Sequence, residues 1–406
     1  MSRLESLIEE LCPLGVEYLN INDIANFRNG KGHEKVISSN GDYIVVNSKF
    51  ISTNGSVIKK SNEQLTPLYK NEILLVMSDL PNGKALGRCF LVEEDNKYTL
   101  NQRICAITVK NDHKINPKFL YYILDRNKQF LKYDNGIDQT NLKKDDILKV
   151  KIPIPPIKVQ QEIVCILENF IEMMEQLTAE LRAEITARIN QYEYYRDELL
   201  AFKDKDVEWK TLAEISTEMY RGAGIKRDQV TVDGIPCVRY GEIYTAYDIS
   251  FEKCISYTTE SEIKSKKYFE NGDILFAITG ESVEAISKSI AYLGNEKCMA
   301  GGDIVVMKHN QNPRYLAYAL STVNAQKQKS KGKVKSKVVH SSVPSLKEIV
   351  VPIPSLEEQD RIEKILVSMD NLCKDISTSI KSEIEVRRKQ YEFYREKLLT
   401  FKKLEK

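Results

Sequence analysis

Cysteine, histidine and tryptophan are scarce in this chain of 406 residues, with eight, four and one copies respectively, and no run of about 18 apolar residues occurs. Each shortage excludes a class of protein. The cysteines (Cys12, Cys89, Cys105, Cys165, Cys237, Cys254, Cys298, Cys373) are scattered singly, without the close pairs that a zinc knuckle or a redox motif needs, so they are expected to be reduced thiols, mostly in cores. His33, His113, His309 and His340 lie far apart and form no His-Glu-x-x-His array, so no metal site is assigned. Without an apolar span, and with a start (Met1 to Ser6) lacking the apolar core of a secretory signal, a cytoplasmic protein is expected. Gly30-Lys31-Gly32, Gly222-Ala223-Gly224 and Gly301-Gly302 complete neither G-x-G-x-x-G nor a Walker A loop and read as turns. Pro155-Pro156 lacks the Asn-Pro-Pro-aromatic order of amino-methyltransferases and reads as a helix start. No catalytic residue is assigned. What remains, 42% hydrophobic and 29% charged residues, suits an ordinary globular chain of two or three domains.

Glycine and proline are absent from two long stretches, 157–202 and 356 to the end, and these two stretches are copies of each other. Residues 152–202 align without a gap on 351–401, with 18 identities in 51 positions. Both copies begin with a proline-rich step, Ile152-Pro153-Ile154-Pro155-Pro156 against Val351-Pro352-Ile353-Pro354-Ser355. Both end with Gln-Tyr-Glu-aromatic-Tyr-Arg, at Gln191 to Arg196 and at Gln390 to Arg395. Each copy is predicted to be one helix, about 65–70 Å long at 1.5 Å per residue. The first carries a single apolar stripe of Ile163, Leu167, Phe170, Met174, Leu177, Leu181, Ile185 and Tyr192. The second carries Ile362, Leu366, Met369, Leu372, Ile376, Ile380 and Ile384. A helix of this length with one apolar stripe is not stable alone in water, so the copies are expected to pair as an antiparallel coiled coil.

The segments between, 15–151 and 205–350, match only in outline and read as mixed α/β modules. Short β-branched runs at 43–46, 104–109 and 303–307 alternate with Gly, Asn and Asp turns, and a helix is expected at 117–133 and again at 313–328. Tyr121 and Tyr122 fall in the first of these and are expected to face a core. With antiparallel helices, the expected fold is α/β: two modules held apart by the helical pair in a pseudo-twofold, almost circular arrangement, with Leu4, Leu7, Ile8 and Leu11 forming one face of an N-terminal cap.

Charge is small overall, +2, but uneven: +5 over 15–151, +3 over 211–350, and −6 for the remainder. Basic modules suit contact with phosphates, and an acidic helical pair suits contact with protein. The densest run places six lysines at alternate positions from Lys327 to Lys337, with Lys329, Lys331, Lys333 and Lys335 expected to grip phosphates from a mobile loop. Its counterpart in the first module, Lys132 to Gln139, is far less basic. Candidates for reading base edges, chosen as hydrogen-bonding side chains in loops, are Asn47, Lys49, Asn101, Gln102 and Arg103 in the first module and Arg221, Arg227, Arg239 and Tyr240 in the second. A coiled-coil adaptor with two protein-binding modules is the alternative reading, and it would show no salt-dependent DNA affinity.

In its order of module, Ile152-to-Pro156 helix, module and Val351-to-Pro354 helix, the whole chain resembles the specificity subunit of type I restriction-modification systems. The boundary Ile152-Pro-Ile-Pro-Pro-Ile-Lys-Val-Gln-Gln-Glu-Ile163, the opening Glu9-Glu-Leu-Cys-Pro-Leu-Gly-Val-Glu-Tyr18 and the step Leu100-Asn101-Gln102-Arg103-Ile104 carry the resemblance. In the second module Ala300-Gly301-Gly302-Asp303 departs from the Asn-Gln step. The resemblance implies a helical cap at 1–14, target-recognition domains at 15–151 and 205–350, and spacer helices at 152–204 and 351–406. Each recognition domain would read half of an asymmetric, bipartite DNA site, and the helices would set the spacer. Two methyltransferase subunits would use S-adenosylmethionine to methylate adenine N6, and restriction subunits using ATP and magnesium would join for cleavage. This chain would itself bind no cofactor.

Overall fold

Residues 3–81, 83–110, 115–203, 207–263, 265–280, 286–330, 333–335 and 338–405 are described by the computed structural model. The chain divides into two compact units, 1–179 with 384–406 and 180–383, so each long helix contributes one part to each unit.

In the first unit a four-stranded antiparallel sheet runs in the order Ala25–Asn29, Ile104–Val109, Ile73–Val76, Cys89–Leu91. Its strand Ile73–Val76 is buried at every position, as a strand covered on both faces must be. One face packs Ile73, Leu75 and Ile107 against Phe119 and Leu120 of the helix Pro117–Leu124 and against Ile163 and Leu167 of the long helix Ile157–Ala201. The other face packs Leu74, Val76 and Ala106 against Val46, Phe50 and Leu100. Val46 and Leu100 belong to a smaller sheet, Lys60–Ser61, Tyr43–Val46, Tyr98–Leu100, whose last two strands are parallel. Tyr122 is buried and Tyr121 packs beside it, as the helical pattern requires. The helix Arg3–Leu11 lays Leu4, Leu7, Ile8 and Leu11 on the same core.

The second unit repeats this plan in its own elements. Its main sheet runs Ser216–Arg221, Ile304–His309, Ile274–Ala277, Ser289–Tyr292, with Ser250–Phe251 added in parallel at the edge. A second sheet contains Ile235–Val238 parallel to Cys298–Ala300, with Tyr268–Phe269 at its edge. Each module is closed by a two-stranded clasp: Glu17–Asn20 pairs with Lys151–Ile154, and Glu208–Thr211 with Val350–Ile353. Pro153 and Pro352 are tolerated there because every strand of a two-stranded sheet is an edge.

The long helices span Ile157–Ala201 and Leu356–Leu398. They run antiparallel within each unit. Phe170 meets Tyr391 at 5.6 Å between ring centroids in the first, and the Cys373 thiol reaches the Arg188 carbonyl at 3.8 Å in the second. Of the apolar stripe, Ile163, Leu167, Ile362 and Leu366 are buried in the module cores, whereas Phe170, Leu177, Leu181, Met369, Ile376 and Ile380 are half-buried, the exposure expected of a helix with one partner. Leu372 is 60% exposed and leaves the stripe.

The second helix stops before the chain end, contrary to expectation. Residues beyond Leu398 turn back to the first module, where the Val16 N–H donates to the Lys402 carbonyl and the Leu404 N–H to the Val16 carbonyl, both at 2.9 Å. The helices expected at 117–133 and 313–328 are each broken in two, Pro117–Leu124 with Lys128–Leu131 and Pro313–Ser321 with Val323–Lys329. Arg126 takes a positive φ of 56° and Asn127 caps the next turn, while Thr322 in extended backbone caps its own. Part of the lysine run is also ordered rather than looped: Lys327 and Lys329 close the helix Val323–Lys329, and Lys333–Lys335 pairs with Val338–His340.

Candidate nucleic-acid interface

The parallel strand pairs Tyr43–Val46 with Tyr98–Leu100, and Ile235–Val238 with Cys298–Ala300, end side by side, so the residue after each strand is delivered to one edge of its module. In the first module these residues are Asn47 and Asn101, joined through the Asn101 N–H to the Val46 carbonyl at 3.2 Å. A third segment meets them: the Lys31 N–H donates to the Leu100 carbonyl at 3.1 Å. The second module repeats both bonds, Gly301 N–H to Val238 carbonyl and Ala223 N–H to Ala300 carbonyl, each at 2.9 Å. The crossing is tight enough to require glycine. A Cβ on Gly30 would lie 2.1 Å from the Asn101 carbonyl oxygen, and one on Gly222 2.2 Å from that of Gly301. These glycines mark close backbone approach rather than free turns.

The two edges carry different chemistry. In the first, Asn47 caps the helix Ser48–Ser52 by accepting the Phe50 N–H at 2.9 Å, Asn101 accepts the Arg103 N–H at 3.3 Å, and Gln102 donates to Glu34 at 3.2 Å. Lys31, Lys49 and Arg103 are exposed and have no carboxylate partner among the described residues. In the second, Arg221 donates to the Gly302 carbonyl and is paired with Asp303 at 2.6 Å, while Arg239 is held by the buried Glu242 at 2.9 Å. Ser256 fixes Glu242 in turn, donating at 2.7 Å. Tyr240 is exposed on the first turn of the helix Tyr240–Thr245, and Arg227 on a separate turn, Arg227–Gln229. One edge therefore presents unpaired cations and amides, and the other presents guanidinium groups oriented by carboxylates. Both are donor sets able to bond nucleobase edges.

Lys329 does not belong to either edge. It is buried at 4% exposure, and its ammonium donates to Ser289 Oγ at 3.0 Å and to the Leu320 carbonyl at 2.7 Å. That carbonyl sits in the last turn of Pro313–Ser321, where intrahelical donors run out, so an internal cation satisfies it. Burial pushes the Lys329 amine down to about 7. Alternation within a basic run did not reveal that its second lysine faces inward. Lys331 lies outside the described residues, and for Lys333 and Lys335 the backbone strand is described without their side chains.

A family model for the type I restriction modification DNA specificity domain matches residues 13–187 and again 205–386. The chain belongs to the type I specificity subunits. This specificity subunit is 30% identical over 312 residues to the EcoR124I/EcoR124II specificity subunit of Escherichia coli, covering 74% of each chain. It is 29% identical over 341 residues to a putative type I restriction enzyme specificity subunit of Haemophilus influenzae, covering 82% of this chain and 84% of that one. Its fold is similar to a chain in a structure of complex assembly in the type I R-M system (TM-score 0.70, 15% identity, 96% and 98% of the two chains). It is also similar to the HsdS subunit from Thermoanaerobacter tengcongensis (TM-score 0.53, 14% identity, 97% and 99%). Among the described residues of the specificity subunit no cluster of His, Cys, Asp or Glu is placed to hold a metal ion, and no helix is long and apolar enough to cross a membrane.

Two pairs of residues escaped sequence reasoning although both are identical between the repeats. Gln160 and Gln359 are fully buried polar side chains at the helix starts, and Arg395 donates to the Tyr122 and Asp125 carbonyls at the end of Pro117–Leu124. Arg196, its counterpart, is buried and paired with Asp197, whose second oxygen accepts the Val323 N–H at 2.8 Å. The repeated arginine thus lies where a long helix meets its module, bonded to module carbonyls directly in one copy and through Asp197 in the other. Lys31 carries no distinguishing signal in the sequence, because Gly30 and Gly32 on either side read as a turn.

Proposed function

We propose that each module reads one half of a bipartite, asymmetric DNA site through the edge just described, and that the subunit directs an adenine-N6 methyltransferase, with restriction subunits, to that site. The observation that carries this reading is the recurrence of one backbone edge with different side chains: Asn47, Lys49, Asn101, Gln102 and Arg103 on one, and Arg221, Arg239 and Tyr240 on the other. Equivalent frames with unlike donors suit two unlike half-sites. The long helices act as the spacer ruler and as the dock for the enzyme subunits. Tyr194 and Tyr195 on the first helix and Phe393 and Tyr394 at the matching positions of the second are exposed, which supplies one aromatic patch per repeat for two copies of the methyltransferase. S-adenosylmethionine belongs to that partner, ATP and magnesium to the restriction subunit, and the specificity subunit binds none of them.

The test is co-expression of the specificity subunit with its methyltransferase, followed by mapping of modified adenines in the host DNA. A split motif with a fixed spacer is expected. Unmodified DNA despite a stable complex would turn the assignment toward a protein adaptor.

A further inference from the structure

A cavity of about 220 Å³ opens in the second module between the edge strands Ser216–Arg221 and Tyr268–Phe269, and four lysines line it: Lys266, Lys267, Lys297 and Lys308. Lys266 pairs with Glu260 at 3.2 Å, and Lys308 with Glu270. Glu218 also lines the cavity. Lys267 and Lys297 form no ion pair among the described residues, though Glu260 and Glu270 feel the Lys297 charge at longer range, and both ammonium groups lie over aromatic rings, 5.5 Å from the Tyr220 centroid and 4.5 Å from that of Tyr268.

The first module has the same backbone here with different side chains. Arg28 stands opposite Ala106 as Tyr220 stands opposite Val306, and the Thr66 carbonyl accepts the Leu100 N–H as the Lys267 carbonyl accepts that of Ala300. Arg28 is turned onto neighbouring acceptors, donating to the Pro67 carbonyl and to both Glu72 oxygens at 2.9 Å. Thr108, in the place of Lys308, also donates to Glu72, and Lys97, in the place of Lys297, pairs with Glu94 at 2.6 Å. At this place the cations of the first module, Arg28 and Lys97, are held in ion pairs, while Lys267 and Lys297 of the second form none and stand beside an opening.

The opening adjoins the proposed reading edge. Tyr220 precedes Arg221 on its strand, and Lys267 is bonded through its backbone to Ala300, which precedes Gly301. We infer that this pocket takes a phosphate of the DNA backbone flanking the half-site read by the second module, with Lys267 and Lys297 as its cationic contacts. The inference rests on the DNA-reading function proposed above. A free phosphate ion has the same chemistry, but a site for one is built from converging backbone N–H groups or a guanidinium fork, whereas long-stemmed ammonium groups at an open rim neutralise without fixing geometry, as contacts to a DNA backbone do.

The experiment compares the full-length subunit, in complex with its methyltransferase, with its Lys267→Gln/Lys297→Gln variant on a duplex carrying the mapped site and on an unrelated duplex. The slope of log affinity against log salt should become shallower by about 1 per lysine removed on both duplexes, with the recognised sequence unchanged. Phosphate-ethylation interference should vanish at one position flanking the second module's half-site, and Lys267→Arg/Lys297→Arg should restore it. An unchanged slope and interference pattern, with the unmodified complex still binding its site, overturns the pocket assignment alone. Loss of stabilisation by inorganic phosphate in the variant, with DNA binding intact, assigns the pocket to a free anion and overturns it equally. Failure of the unmodified complex to bind DNA would instead overturn the reading beneath it.

Discussion

Gln160 accepts the backbone N–H of Asn116 at 2.8 Å, and Gln359 accepts that of Asn312 at 2.9 Å. Each glutamine also donates to the carbonyl of a proline five residues earlier, Pro155 at 2.7 Å and Pro354 at 2.9 Å. A fully buried amide therefore ties the first turn of each long helix to the capping residue of a module helix, Pro117–Leu124 or Pro313–Ser321. Removing it leaves buried polar groups unpaired, at a cost of about 1–3 kcal/mol. Gln359→Ala should accelerate amide hydrogen exchange in the helix Pro313–Ser321 and leave Pro117–Leu124 as it was. Equal exchange in both helices would show that the amide carries no docking role.

The two edges should be separable by single substitutions. Arg103→Ala is expected to cost about 1–3 kcal/mol of binding and relax one half-site, and Arg239→Ala to relax the other, read from methylation maps of each variant. A uniform loss on all sequences would move the residue concerned from base to phosphate contact. Asn47→Ala is a less clean probe, because Asn47 also caps Ser48–Ser52 and its loss costs about 1 kcal/mol of stability.

Lys329 gives the second module a pH dependence of definite sign. Its amine is pushed down to about 7 by burial, so the folded chain holds this proton less tightly than the unfolded chain, whose lysines titrate at about 10.4. Stability from this group therefore rises as pH increases from about 7 towards 10. Lys329→Met should flatten the rise in melting temperature between pH 7 and pH 9. A rise of the same size in the variant would place its origin elsewhere.

Spacer length should follow helix length. Four residues added to the first long helix next to Ala187 extend it by about 6 Å, close to two base-pair rises. The methylated motif should keep both half-sites and gain a longer spacer. Altered half-sites with the old spacer would contradict the ruler role.

What the sequence by itself determined was the repeated frame. The copies at 152–202 and 351–401, free of internal glycine and proline beyond their first turns, form helices because continuous 3.6-residue periodicity is a local property. The runs 43–46 and 104–109 likewise became strands. The tertiary structure decided what each polar side chain faces, which depends on partners far away in sequence. It turned Lys329 inward to Leu320 and Ser289, set Arg28 against Glu72 while leaving Lys267 and Lys297 at an opening, and drew the last residues off the second helix to Val16. The reason is physical: a charge in a basic run reads the same whether it ends in water or against a buried carbonyl, and only the packing of distant segments fixes its desolvation and its partners.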